Sequence, residues 1–134
     1  MVKLRHVVPA AGIALELVAA VTLAFTLPDA QPASVDGTVR CASGAPIQGI
    51  WIEGFSGGSG FAGLSPGDRR SALVTYRYEL PSGGKYQVHV GCGGTPVTWT
   101  LELRSRYVNP GTNHFLCHDN AARSDDRTCA VTSP

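Results

Sequence analysis

Residues 72–92 read ALVTYRYELPSGGKYQVHVGC, and this stretch decides the fold. Ala72, Val74, Tyr76, Tyr78 and Leu80 alternate with Leu73, Thr75, Arg77 and Glu79. Beyond a break, Tyr86, Val88, Val90 and Cys92 alternate with Gln87, His89 and Gly91. Period-two alternation marks a strand with one buried and one wet face. Pro81-Ser82-Gly83-Gly84 supplies the breakers and positive-φ residues of a tight reversal. The expectation is a two-strand hairpin, against which the rest of the chain must pack.

Outward from it, similar segments recur. Residues 35–41 form a first strand, and 42–46 (ASGAP) a turn. A second strand covers 47–53, with Ile50 and Ile52 on one face and Trp51 and Glu53 on the other. A glycine-rich loop spans 54–60, and 61–64 is a short edge strand. After Gly93-Gly94-Thr95-Pro96, Val97, Trp99, Leu101 and Leu103 share one face of another strand, which makes Trp99 a core residue. Residues 114–118 form a last short strand, with Phe115 and Cys117 inward. About seven short strands, regular turns and no mature helix predict an all-β, immunoglobulin-like two-sheet sandwich.

The N-terminus differs. Lys3, Arg5 and His6 precede an apolar run of about 21 residues, 7–27. A basic start followed by a hydrophobic helix is an export pattern. The run is long for a cleaved signal and right for a membrane anchor, and the small-residue sites at Ala30 and Ala33 are poor cleavage sites. Glu16 within the run opposes a span, by about 2–3 kcal/mol. Anchor and signal both remain open, and both leave the domain outside the membrane. The chain thus divides into an export or anchor segment with a short tether (1–33), the sandwich (34–118) and a polar tail tied back by Cys129 (119–134).

Charge is sparse and mixed, with a net charge of +1. With no cationic stripe, nucleic acid is not an expected partner. The four cysteines all follow the export segment, and an even number in a small exported domain reads as two disulfides. Cys41 shares the inward parity of Val35 and Val39, and Cys92 that of Val88 and Val90. This favours Cys41–Cys92, leaving Cys117–Cys129.

Other motifs give way to plainer readings. Gly54-Phe55-Ser56-Gly57-Gly58 fits G-x-S-x-G, but a nucleophile elbow needs a helix after the turn and none follows in the pattern. A hydrolase centred on Ser56 is therefore the weakest functional reading. His114, Cys117, His118 and Cys129 have zinc-type chemistry, but a disulfide accounts for the thiols. Asp119, Asp125 and Asp126 read as a solvated loop rather than a calcium site. No metal or cofactor is expected. Trp51, by contrast, faces outward beside the glycine-rich loop, where another segment covers it or a ligand stacks on it.

Residues 35–52 (VDGTVRCASGAPIQGIWI) and 78–90 (YELPSGGKYQVHV) together resemble the carboxypeptidase regulatory-like, or prealbumin-like, sandwich family, including Cna-B-type surface repeats. The chain also resembles small exported proteins of actinobacteria. The resemblance covers residues 35–92 and implies a spacer, a stalk, or a module that binds protein or sugar. Two features depart from it. The first strand carries Arg40 and no lysine, and Lys85 is the only lysine after the export segment, so the Lys–Asn isopeptide of many Cna-B domains is not expected. The chain ends VTSP, without the Tyr-Arg-Gly-Ser ending of the prealbumin-like purine-pathway hydrolases.

The leading expectation is a non-enzymatic, extracytoplasmic sandwich with a structural or protein-interaction role. The alternative is a module for cell-wall glycan using Trp51, Phe55 and Phe61. Its partner is accordingly a surface protein or a wall glycan, with the membrane added where the N-terminal segment stays uncleaved. Protease added to intact, wall-stripped cells is expected to digest the domain; full protection would contradict export.

Overall fold

The computed structural model describes residues 31–67 and 71–132. The expected export or anchor segment (1–33) therefore lies outside the described residues, apart from residues 31–33 of its tether. Among the described residues, no helix is long and apolar enough to cross a membrane. The strands are β1 (Ala33–Cys41), β2 (Ile47–Gly54), β3 (Gly60–Phe61), β4 (Gly63–Ser65), β5 (Leu73–Leu80), β6 (Tyr86–Gly94), β7 (Trp99–Arg104), β8 (Gly111–Thr112), β9 (His114–Cys117) and β10 (Cys129–Thr132). One sheet runs β10-β9-β1-β5-β4, with β8 also on β1; the other runs β3-β2-β6-β7. The fold is an all-β sandwich of two sheets.

Most of the inward face assignments hold. Val35, Val39 and Cys41 of β1 are buried, as are Val74, Tyr76 and Leu80 of β5. From the other sheet, Ile50, Ile52, Tyr86, Val88, Val90, Cys92 and Leu103 complete the core. Each such aliphatic side chain contributes roughly 1.5–3 kcal/mol of burial free energy.

The pairing differs from expectation. Residues 72–92 are not a hairpin: β5 pairs with β1 and β4, whereas β6 pairs with β2 and β7. Gly83 and Gly84 both have positive φ and carry the chain from one sheet to the other. The apolar faces of β5 and β6 therefore meet across the core instead of lying side by side. Residues 61–64 likewise cross between sheets, because β3 adds to β2 and β4 to β5. The C-terminal tail is held by more than Cys129. It supplies β10, which pairs antiparallel with β9 from Cys129↔Cys117 to Thr132↔His114. Val97 also departs from its expected inward place and is 95% exposed. Thr95 and Thr98 close a turn there (N–H to O, 2.8 Å), so the strand's alternation begins only after it.

A covalent bond and a hydrogen-bond network join the layers. Cys41 is bonded to Cys92, tying β1 to β6 across the core. Tyr86 Oη lies 2.8 Å from Tyr76 Oη, which donates to the carbonyl of Asn113 at 2.9 Å. The Asn113 amide donates back to Tyr86 at 3.0 Å, closing the ring of partners. Burial raises the pKa of both phenols above the ordinary value of 10.0, so both stay protonated donors. Gly37, at φ 142°, makes room: any Cβ there would overlap the Asn113 carbonyl. The second disulfide, Cys117–Cys129, joins directly opposed residues of neighbouring strands.

The two disulfides span 51 and 12 residues. Loop-closure entropy then assigns about 4 kcal/mol to the first and about 3 kcal/mol to the second. Replacing Cys41 and Cys92 together by alanine should lower stability in urea more than replacing Cys117 and Cys129 together. Equal losses, or the reverse order, would show that the cross-core bond is not the stronger restraint.

Candidate binding face

The outer face of the four-stranded sheet is not the plain wet surface that alternation implies. On β2 it carries Gly49, Trp51 and Glu53; on β6, Gln87, His89 and Gly91; on β7, Glu102 and Arg104. The register sets Gly49 beside Gly91, Trp51 beside His89 and Glu53 beside Gln87. His89 and Gly91 in turn adjoin Arg104 and Glu102.

His89 is only 7% exposed, although it lies on the outward parity. Both its ring nitrogens face carboxylates: Nε2 is 2.6 Å from Glu53 and Nδ1 is 3.0 Å from Glu102. Only the imidazolium form can donate to both. The Gln87 amide donates to the same Glu53 oxygen at 2.6 Å. Glu102 also has Arg104 within 3.8 Å. The hydrogen bond from His89, then that from Gln87, holds the Glu53 carboxyl below its ordinary pKa of 4.5. Partial desolvation, followed by the neighbouring Glu53 charge, raises the pKa of the Tyr107 phenol beside it.

Aromatic rings flank this polar row. Phe61 of β3 stands edge-on to Trp51, with centroids 4.9 Å apart, and Trp99 lies 6.4 Å from Phe61. Trp99 is thus not in the core, contrary to its parity with Leu101 and Leu103. A Cβ at either Gly49 or Gly91 would run into its ring, so the indole rests on the outer face where those two residues have no side chains. The positive φ angles at Gly93 and Gly94, opposite the start of β7, twist this end of the ribbon. Beside the cluster a cleft of about 370 Å³ opens between Phe61, Leu64, Gln48 and Pro96. At the other end of β2, Phe55 packs edge-on against Tyr107 at 5.4 Å.

Of the three sequence-derived ligand candidates, the fold brings Trp51 and Phe61 together and sets Phe55 apart, on the far side of Glu53. Phe55 and Phe61 remain 72% and 64% exposed, while Trp51 is half-buried. Trp99, expected in the core, belongs to the same face, as do His89, Glu102 and Tyr107, which the sequence did not single out. The outward position of His89 between Gln87 and Gly91 was readable, but the strand register that gives it two carboxylates was not.

The remaining motifs fall elsewhere. Ser56 sits in the exposed turn after β2, followed by β3 rather than a helix. The Cys117 and Cys129 sulfurs are bonded to each other and are not free as metal ligands. Asp119 is buried, its carboxylate accepting from the backbone N–H of Ser43 at 2.9 Å and from the Ser43 hydroxyl. It clamps the β1–β2 turn to the C-terminal segment, away from Asp125 and Asp126 in a short 3-10 turn. Compared with protein-family models, curated proteins and solved structures, the chain matches none of them.

The lowered pKa of Glu53 makes stability pH-dependent. Its carboxylate stabilises the fold fully above the unfolded value of 4.5, and this contribution is lost as pH falls through the lower folded value. Urea midpoints should therefore drop as pH is taken below 4.5, and Glu53→Gln should drop less steeply over that range. Parallel curves for the two proteins would mean that the His89–Glu53 contact carries no such linkage.

Proposed function

We propose that this chain is a non-enzymatic, extracytoplasmic binding module of the prealbumin-like sandwich kind, which engages its partner through the outer face of the β3-β2-β6-β7 sheet. One observation carries the reading. A small domain, which needs its aromatic side chains for its core, leaves Phe55 and Phe61 exposed and Trp51 and Trp99 half-exposed along one sheet face. The other sheet has no comparable strip among the described residues; its outward positions include Thr38, Thr75 and Arg77.

Two further features agree. All four cysteines are paired, as befits an oxidising, extracytoplasmic compartment. The titratable cluster on the face is internally satisfied, with both nitrogens of His89 engaged by carboxylates. It therefore lacks the free base next to a nucleophile that acyl-transfer chemistry requires.

Retention on isolated cell envelopes tests the proposal. The exported protein should sediment with them, and the Trp51→Ala/Phe55→Ala/Phe61→Ala variant should stay in the supernatant. A Thr75→Ala/Arg77→Ala variant of the opposite sheet should sediment like the wild type. Equal retention of all three proteins would remove the outer face as the binding surface.

A further inference from the structure

Resting on that reading of the face, we infer that its ligand is an uncharged glycan chain lying along β2, from the Trp99–Phe61–Trp51 cluster to the Phe55–Tyr107 pair. The argument lies in how apolar and polar groups alternate. Along the outer face of β2 the order is Gly49 with Trp99 above it, Trp51 and Glu53, with Phe55 in the turn just past the strand's end. Successive outward positions of a strand are roughly 6.6 Å apart, so Gly49 to Glu53 covers about 13 Å and the strip is carried further by Phe55. It is long and narrow, and the cleft of about 370 Å³ lengthens it at the Phe61 end.

A pyranose ring presents a C–H face and a rim of hydroxyls at the same time. Aromatic rings receive the former, and fixed carboxylates and amides receive the latter. Glu53 is held by His89 and Gln87 and Glu102 by His89, so these acceptors are oriented before any ligand arrives. A protein partner calls for a different layout, with an apolar centre and a polar rim. Here the polar row His89–Glu53–Gln87 runs through the middle, with rings at both ends. Charge also selects. Glu53 faces the His89 ring, and Glu102 has both His89 and Arg104 beside it. Both carboxylates already have donors within the sheet, so neither stands as an unpartnered anion for a cationic peptide.

The length of the strip gives a test that a lone aromatic patch would not pass. The exported protein is titrated with disaccharides and hexasaccharides of glucose and of N-acetylglucosamine, and with polysaccharide released from the producing cell's own envelope. Tryptophan fluorescence and amide chemical shifts are the readouts. For at least one of these sugars, binding should saturate and strengthen with chain length. Trp51→Ala and Phe61→Ala should each weaken it about tenfold at every length. Phe55→Ala should weaken the hexasaccharide and leave the disaccharide unchanged. All variants are first checked for wild-type thermal unfolding, and the well-exposed Phe61 keeps the test open where Trp51→Ala fails to fold.

Flat titrations across the panel, or binding that survives Trp51→Ala and Phe61→Ala, would overturn the inference. Flat titrations together with envelope retention that is lost in the triple variant would overturn only the glycan and leave the binding face standing. Retention abolished by protease treatment of the envelopes would identify a protein as the ligand instead.

Discussion

The bond between Cys41 and Cys92 is the constraint on which this molecule depends. It joins β1 of one sheet to β6 of the other, and neither strand pairs with the other through its backbone. Two sheets in a domain of about 100 residues share a thin core, and such a core leaves little stability in hand. A covalent tie that closes 51 residues of chain limits what the unfolded state can gain. The Tyr76–Tyr86–Asn113 hydroxyl and amide network repeats the link a short way off, with each buried polar atom finding a partner. Asp119 then fastens the C-terminal segment to the β1–β2 turn.

Once the sheets are fixed face to face, their outer faces are free to differ. That of β10-β9-β1-β5-β4 carries Thr38, Thr75 and Arg77, with Leu73 and Leu116 flanking Arg40. That of β3-β2-β6-β7 carries rings and an ordered Glu–His–Glu row. Two glycines make this arrangement fit. Gly49 and Gly91 lie opposite each other in the register, and their missing side chains leave a bare floor for Trp99. In place of a flat polar sheet, the result is a face on which aromatic surface and oriented carboxylates stand side by side.

Much of this was legible in the residues, and the failures share a cause. Alternation reports which way a side chain points, and it placed Val39 and Val90, and hence the sulfurs of Cys41 and Cys92, on inward faces. It does not report which strand lies alongside. Residues 72–92 have the composition of a hairpin, yet Gly83 and Gly84 serve as well to change sheets as to reverse within one. The same silence hid the crossing at residues 61–64, and with it the meeting of Phe61 with Trp51. Val97 was misplaced because parity was extended through a turn, since β7 begins only at Trp99. Trp99 keeps the parity of Leu101 and Leu103, yet its indole lies over the bare positions of Gly49 and Gly91. His89 stood at an outward position in plain view, but its significance comes from Glu53 and Glu102 on two other strands, 36 and 13 residues away.

The central claim is that one particular sheet face does the binding. Amide hydrogen exchange of the purified protein, free and mixed with isolated cell envelopes, tests it most directly. The account predicts that added protection falls on β2, β3, β6 and β7, strongest around Trp51, Phe61 and His89, with β1, β5 and β9 unchanged. Protection concentrated on β1, β5 and β9, with none around Trp51 and Phe61, would contradict it.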